Sequence, residues 1–159
     1  MNTTSLISEI QSRPAQTIVC DRILVPIDGS PPSMHAVEWA IELARAADAE
    51  LTILMVIDYD THVSAFEQVS MSGYLPAELK ISAYRFLAEL MHEIPRSVHA
   101  HTRVEEGDPG EVTVAVAAEE ESHLIVMGSR GFGTFESIAF GSVSTHVSRH
   151  AHCPVLLAK

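Results

Sequence analysis

Five strand-length runs alternate with four helix-patterned segments along this chain, and that order admits few folds. Ile23, Leu24 and Val25 lead through Pro26 and Ile27 to the turn Asp28-Gly29-Ser30, and Leu51 to Ile57 is almost wholly apolar. A short apolar run without polar alternation suits a strand covered on both faces, as in a parallel sheet. Leu124 to Met127 and Pro154 to Ala158 supply two more. Val98 to Val104 differs, because His99, His101 and Arg103 alternate with Val98, Ala100, Thr102 and Val104, the pattern of an edge strand with one solvated face. Between these runs, Val37, Ala40, Ile41 and Ala44 recur at helical spacing beside Trp39, and Leu79 to Ile94 carries a second apolar stripe that Pro95 ends. Asp108-Pro109-Gly110-Glu111 combines a cap, a proline at the first helical position and a glutamate able to reach back, so a third helix runs from there to about Glu121. A fourth spans Gly141 to His150. The alternation predicts an α/β protein, a parallel sheet with right-handed crossovers and helices on both faces.

One core suffices for such a sheet. With 159 residues, 47% of them apolar, the chain is of single-domain size, and such a domain buries roughly 70% of its unfolded surface. Residues 1–18, polar and broken at Arg13-Pro14, read as a flexible extension, which leaves residues 19–159 as the domain. Tyr59 to Leu75, weakly periodic and containing Gly73, reads as a long loop. Cys20 and Cys153 are too few for a disulfide framework and point to a reducing compartment. No apolar stretch approaches the ~20 residues of a membrane span, and no basic segment followed by an apolar one opens the chain, so a soluble, cytoplasmic protein is expected. The formal charge is -11 and the only lysines are Lys80 and Lys159, which argues against nucleic acid as a partner. Any phosphate site must therefore work through short-range, directed donors.

Ligands of doubly wound sheets bind beyond the carboxyl ends of the strands, where the strand order reverses. Two strand ends carry distinctive turn chemistry: Pro26-Ile27-Asp28-Gly29-Ser30 and Gly128-Ser129-Arg130-Gly131. At Gly128 and Gly131 a ligand approaching the backbone would meet no side chain, and glycine can turn amides toward an anion. Gly141-Ser142 then opens a helix, whose N terminus offers unpaired amides and the positive end of the dipole, with a hydroxyl added by Ser142. A lone G-x-x-G is more often a simple turn. Here the pattern is G-x-x-G, a nine-residue spacer and G-S, directly after an apolar strand, and it resembles the nucleotide-binding motif of the universal stress protein family. The resemblance covers about Arg22 to Lys159.

It implies a five-stranded sheet of order 3-2-1-4-5, with the first and fourth strands adjacent and their two turns facing each other. It also implies a binding set. Pro26, Ile27, Asp28, Gly29 and Ser30 would line the ribose and adenine side, Val56 would pack against the base, and Met127, Gly128, Ser129 and Arg130 would lie beside adenine and ribose. Gly131, Gly141, Ser142, Val143 and Ser144 would take the phosphates. The implied ligand is an adenine nucleotide, ATP first and ADP or AMP as alternatives, with Mg²⁺ and Asp28 as its candidate ligand. A homodimer through residues 154–158 is implied as well; the other account of that edge is shielding by the N-terminal extension. The expected function is a stress-response regulator whose occupancy alters contacts with its own copy or an unidentified protein.

Two rival readings stay open. One is a slow ATPase or nucleotidyl-transferring enzyme using Arg130 and Mg²⁺, although G-x-x-x-x-G-K-[ST] is absent and both lysines are remote from the loop in sequence. The other is a nucleotide-free interaction module built on the acidic surface and the Tyr59 to Leu75 loop. The spacer Phe132 to Phe140 carries Glu136, whose repulsion of a phosphate about 8 Å away would be roughly 0.5 to 2 kcal/mol. Each amide or hydroxyl donor to a charged group contributes about 1.5 to 3 kcal/mol, so three or four donors outweigh that repulsion. His146, His150 and His152 have a spacing that a metal could use, but a histidine near a helix C terminus is favourable on its own.

Overall fold

A computed structural model of the chain describes residues 19–59, 75–131 and 140–159. The extension 1–18, all but the ends of the expected Tyr59 to Leu75 loop, and spacer residues 132–139 with Glu136 lie outside the described residues. The elements follow in the order β1 (Arg22–Ile27), α1 (Pro31–Ala47), β2 (Glu50–Ile57), α2 (Leu75–Glu93), β3 (Ala100–Glu106), α3 (Pro109–Glu119), β4 (Leu124–Gly128), α4 (Ser142–His150) and β5 (Val155–Ala158). All strand pairs are parallel, and the sheet order is β3-β2-β1-β4-β5, as the resemblance implies.

Successive strand residues point to opposite faces, and each face has its own helix pair. Ile23, Val25, Ile27, Leu51 and Ile53 pack with Ala36, Val37, Ala40 and Ala44 of α1 and Leu87 of α2. Leu24, Leu54, Ile125 and Met127 pack on the other side with Val116 and Ala117 of α3 and Val147 of α4. The unbroken apolar runs thus reflect burial on both faces.

Local chemistry sets the helix starts. Ser30 caps α1 and accepts from the Ser33 amide, with Pro31 and Pro32 in the first turn, where their missing N–H groups cost nothing. Asp108 caps α3 by accepting from the Glu111 amide at 2.8 Å. Asp48, in the left-handed region at φ 53°, ends α1.

Three boundaries differ from the sequence expectation. Helix α2 begins at Leu75 rather than near Leu79, and Pro76 is tolerated in its first turn. Helix α3 ends at Glu119, with Glu121 in the left-handed region at φ 50°. Strand β3 begins at Ala100 rather than Val98, because the Val98 amide is committed to the Pro95 carbonyl in the turn after α2. Its polar face is also not simply wet. Arg103 donates to Glu119 at 2.8 Å, Glu105 at 2.6 Å and Glu120 at 3.1 Å, and these bonds, Glu119 first, hold its guanidinium charged. Thr52 Oγ1 donates to Glu120 at 2.8 Å and lies 2.9 Å from His101 Nε2. The acidic end of α3 covers this strand face, a long-range contact that a local alternation cannot report. No helix among the described residues is long and apolar enough to cross a membrane.

Leu24 sits at the centre of β1 with no exposed surface. Leu24→Ala is expected to lower the unfolding free energy by about 2 to 5 kcal/mol, measured by urea denaturation.

Candidate functional site

The sheet opens between its two central strands. Strand β1 follows β2 from Arg22↔Glu50 to Ile27↔Met55, but its register with β4 covers only Ile23↔Leu124 and Leu24↔Ile125. Strand β4 instead stays paired with β5 to Gly128↔Ala158. Beyond Leu24 and Ile125 the ladder between the two strands lapses, because Pro26 faces β4 and has no N–H to donate, and their chains leave toward opposite faces, β1 into α1 and β4 toward α4. This is the switch point of the sheet.

The first turn of α1 packs against the β4 side of the opening. A Cβ on Gly128 would stand 2.9 Å from the backbone of both Pro32 and Ser33, and 3.0 Å from the Arg130 carbonyl. The close approach that makes glycine necessary at 128 is therefore made by the protein's own helix, whereas sequence reasoning assigned it to a ligand.

The turn after β1 is held by its own side chains. Gly29, at φ 82°, supplies the left-handed step. Asp28 Oδ1 accepts from the Ser30 amide at 2.9 Å and the Ser30 hydroxyl at 2.6 Å. Ser33, buried, donates its hydroxyl to the Ser30 carbonyl at 2.9 Å. Sequence reasoning did not single out Ser33; the Ser30-Pro31-Pro32 start is the signal that could have placed it one turn into a helix. The two turns meet, since a Cβ on Gly131 would collide with Asp28 Oδ2.

Ser129 joins the second turn to two neighbours. Its amide donates to the Ala158 carbonyl of β5 at 2.8 Å, and its carbonyl accepts from the Gly141 amide at 2.9 Å and the Ser144 hydroxyl at 2.8 Å. Gly141 is the N-cap of α4 and provides no side-chain cap, so the first-turn amides of Ser142, Val143 and Ser144 have no intrahelical acceptor. The Ser142 side chain is exposed, Val143 is half-buried and Ser144 is buried. Arg130 and Gly131 are half-buried at the mouth of the opening.

The apolar members divide by face. Val56 is half-buried and packs with the α3–α4 core, Met127 belongs to that core, and Pro26, half-buried, lies in register with Leu54 on the same face. Ile27 points the other way, into the α1–α2 core. Lys80 is committed to Glu106 at the carboxyl end of β3, and that hydrogen bond and charge raise its pKa. His150 Nδ1 donates to the His146 carbonyl at 2.8 Å, and the two rings stack with centroids 4.2 Å apart. His146 fills the space beside Gly110 of α3, and His150 lies exposed beyond it. Among the described residues, no three His, Cys, Asp or Glu side chains converge as metal ligands.

A doubly wound parallel sheet that opens at its switch point onto two touching turns and an uncapped helix start is the architecture of nucleotide-type α/β domains. The model of the universal stress protein family matches residues 20–159. A universal stress protein of Methanocaldococcus jannaschii is 33% identical over 151 residues, covering 87% of this chain and 81% of that protein. Among solved structures, universal stress protein UspA from Lactobacillus plantarum is similar with a TM-score of 0.75 and 27% identity, over 90% of this chain and 100% of that one. An Arabidopsis thaliana universal stress protein family protein with AMP bound has a TM-score of 0.57 and 25% identity, over 86% and 90%. The chain belongs to the universal stress protein family.

Gly128→Ala tests the packing of α1 on β4. The added methyl meets backbone, so something must shift, and a loss of about 1 to 3 kcal/mol is expected in urea unfolding. Wild-type stability in this variant would contradict the geometry.

Proposed function

We propose that the chain binds an adenine nucleotide, ATP in the first instance, across the opening between β1 and β4. The observation that carries this reading is the contact of the Asp28 turn with Gly131, which brings both turns and the start of α4 to one mouth of the sheet. The AMP bound by the Arabidopsis relative adds support from the same fold. Pro26, Val56 and Met127 offer an apolar flank to the base, and the turn Asp28-Gly29-Ser30 its polar rim. Gly128, Ser129 and Arg130 border the ribose. Gly131, Ser142 and Val143 meet the phosphates, largely through backbone amides, and Gly141 adds no side chain beside them. The carboxylate of Asp28 is engaged with Ser30, so Mg²⁺ would be held mainly by phosphate oxygens, with Asp28 at most one protein ligand.

Occupancy in this reading regulates association rather than driving chemistry. Strand β5 forms one edge of the sheet, and Val155, Leu156 and Leu157 are only partly buried. An apolar edge of this kind suits pairing with a second copy.

Calorimetric titration with ATP and with AMP, each with Mg²⁺, tests the reading. The parent chain is expected to bind, and Ser142→Ala to weaken ATP about tenfold, the loss of one donor to a charged group. Absence of heat at millimolar nucleotide would overturn it.

A further inference from the structure

We infer that Ser144 is a positioning residue, one that holds the start of α4 against the end of β4 so that the phosphate donors stand in place; the inference rests on the nucleotide reading above. Family motif logic places this serine among the phosphate-binding positions, but its hydroxyl is spent inside the protein. Ser144 is 2% exposed, and its Oγ lies 2.8 Å from the Ser129 carbonyl and 3.1 Å from the Gly141 carbonyl. A hydroxyl carries one proton, and the shorter contact is the one across the loop. The Ser129 carbonyl thus receives two donors from the beginning of α4, the Ser144 hydroxyl and the Gly141 amide at 2.9 Å.

Those two bonds close the loop. They fix the start of α4 on the end of β4, while Val147 seats the same helix in the core beside α3. The Ser129 amide is itself fixed on the Ala158 carbonyl at 2.8 Å, so the acceptor of the clamp is anchored in the sheet. The Gly141 amide, which motif logic counts as a phosphate donor, is likewise used within the clamp. What faces outward is the exposed hydroxyl of Ser142 and the next amides of the helix. Their angle to Gly131 depends on the clamp.

The test uses the full chain, the Ser144→Ala variant and two readouts. The first is amide hydrogen exchange at Gly141 in the nucleotide-free protein, expected to accelerate about fivefold when the neighbouring bond is lost. The second is the ratio of the adenosine and ATP dissociation constants, which isolates the phosphate contribution and is expected to fall about fivefold while adenosine binding stays constant. A purely structural role would leave that ratio unchanged. If Ser144→Ala does not fold, the isosteric pair S144T and S144V repeats the comparison, with S144T expected to match the parent and S144V to show both changes. A fallen ratio with unchanged exchange would mean that the hydroxyl acts on the phosphate directly, and faster exchange with an unchanged ratio would mean that the clamp does not position donors; either result overturns the inference. A parent chain that binds no ATP removes the nucleotide reading itself, a result separate from both because it is read before any substitution.

Discussion

The arrangement of the candidate site depends on one departure from regular sheet geometry, the lapse of the β1–β4 ladder after two register pairs, where Pro26 has no N–H to donate. A central strand normally satisfies its backbone on both edges. Here β1 keeps β2 through Ile27, while β4 keeps β5 through Gly128, and only the ladder between β1 and β4 stops short. The first turn of α1 then seats against Gly128, so close that no Cβ fits between them. The helix start thus fills the α1 side of the strand ends, and the Asp28 carboxylate reaches the backbone at Gly131.

Much of this fold was legible because burial on both faces writes itself into sequence as unbroken apolar runs. Ile23 to Val25 and Ile125 to Met127 are buried whichever way they point, so periodicity had nothing to resolve and length with turn residues sufficed. The α3 start was legible for a different reason, since Asp108 and Pro109 are specified by the first turn alone. What escaped was set by distant partners. Arg103 looked solvated because Glu119 and Glu120, which hold it, belong to a helix that crosses back over the strand. Gly128 looked like a gap left for a ligand because the helix that fills it begins near residue 31, almost a hundred positions earlier in the chain. Ile27 lies on the α1–α2 core side of the sheet, a distinction that needs the strand's rotation and not merely its end.

Several cations of the described residues are committed to glutamates outside the two turns. Arg22 faces Glu121, Arg45 faces Glu42, Lys80 faces Glu106 and Arg103 faces three glutamates, each pair on the flanks of the sheet. With a formal charge of -11, little long-range attraction for an anion remains. Screening makes that tolerable, because exposed charges beyond about 8 Å are largely damped at physiological ionic strength. Affinity for a phosphate then rests on donors in contact, at about 1.5 to 3 kcal/mol each, and such donors lose most of their value with small errors of angle.

A site that relies on directed amides instead of mobile cations transfers the burden to whatever fixes those amides. A lysine can follow a phosphate that sits slightly out of place, but the first turn of a helix cannot. In this chain the first turn of α4 is referred to Ser129, and Ser129 to Ala158 of β5. Strand β5 is an edge strand of the described sheet, paired with β4, and its Ala158 carbonyl holds the amide of Ser129. One buried peptide unit, hydrogen-bonded on both sides, therefore ties the start of α4 to the last strand of the sheet.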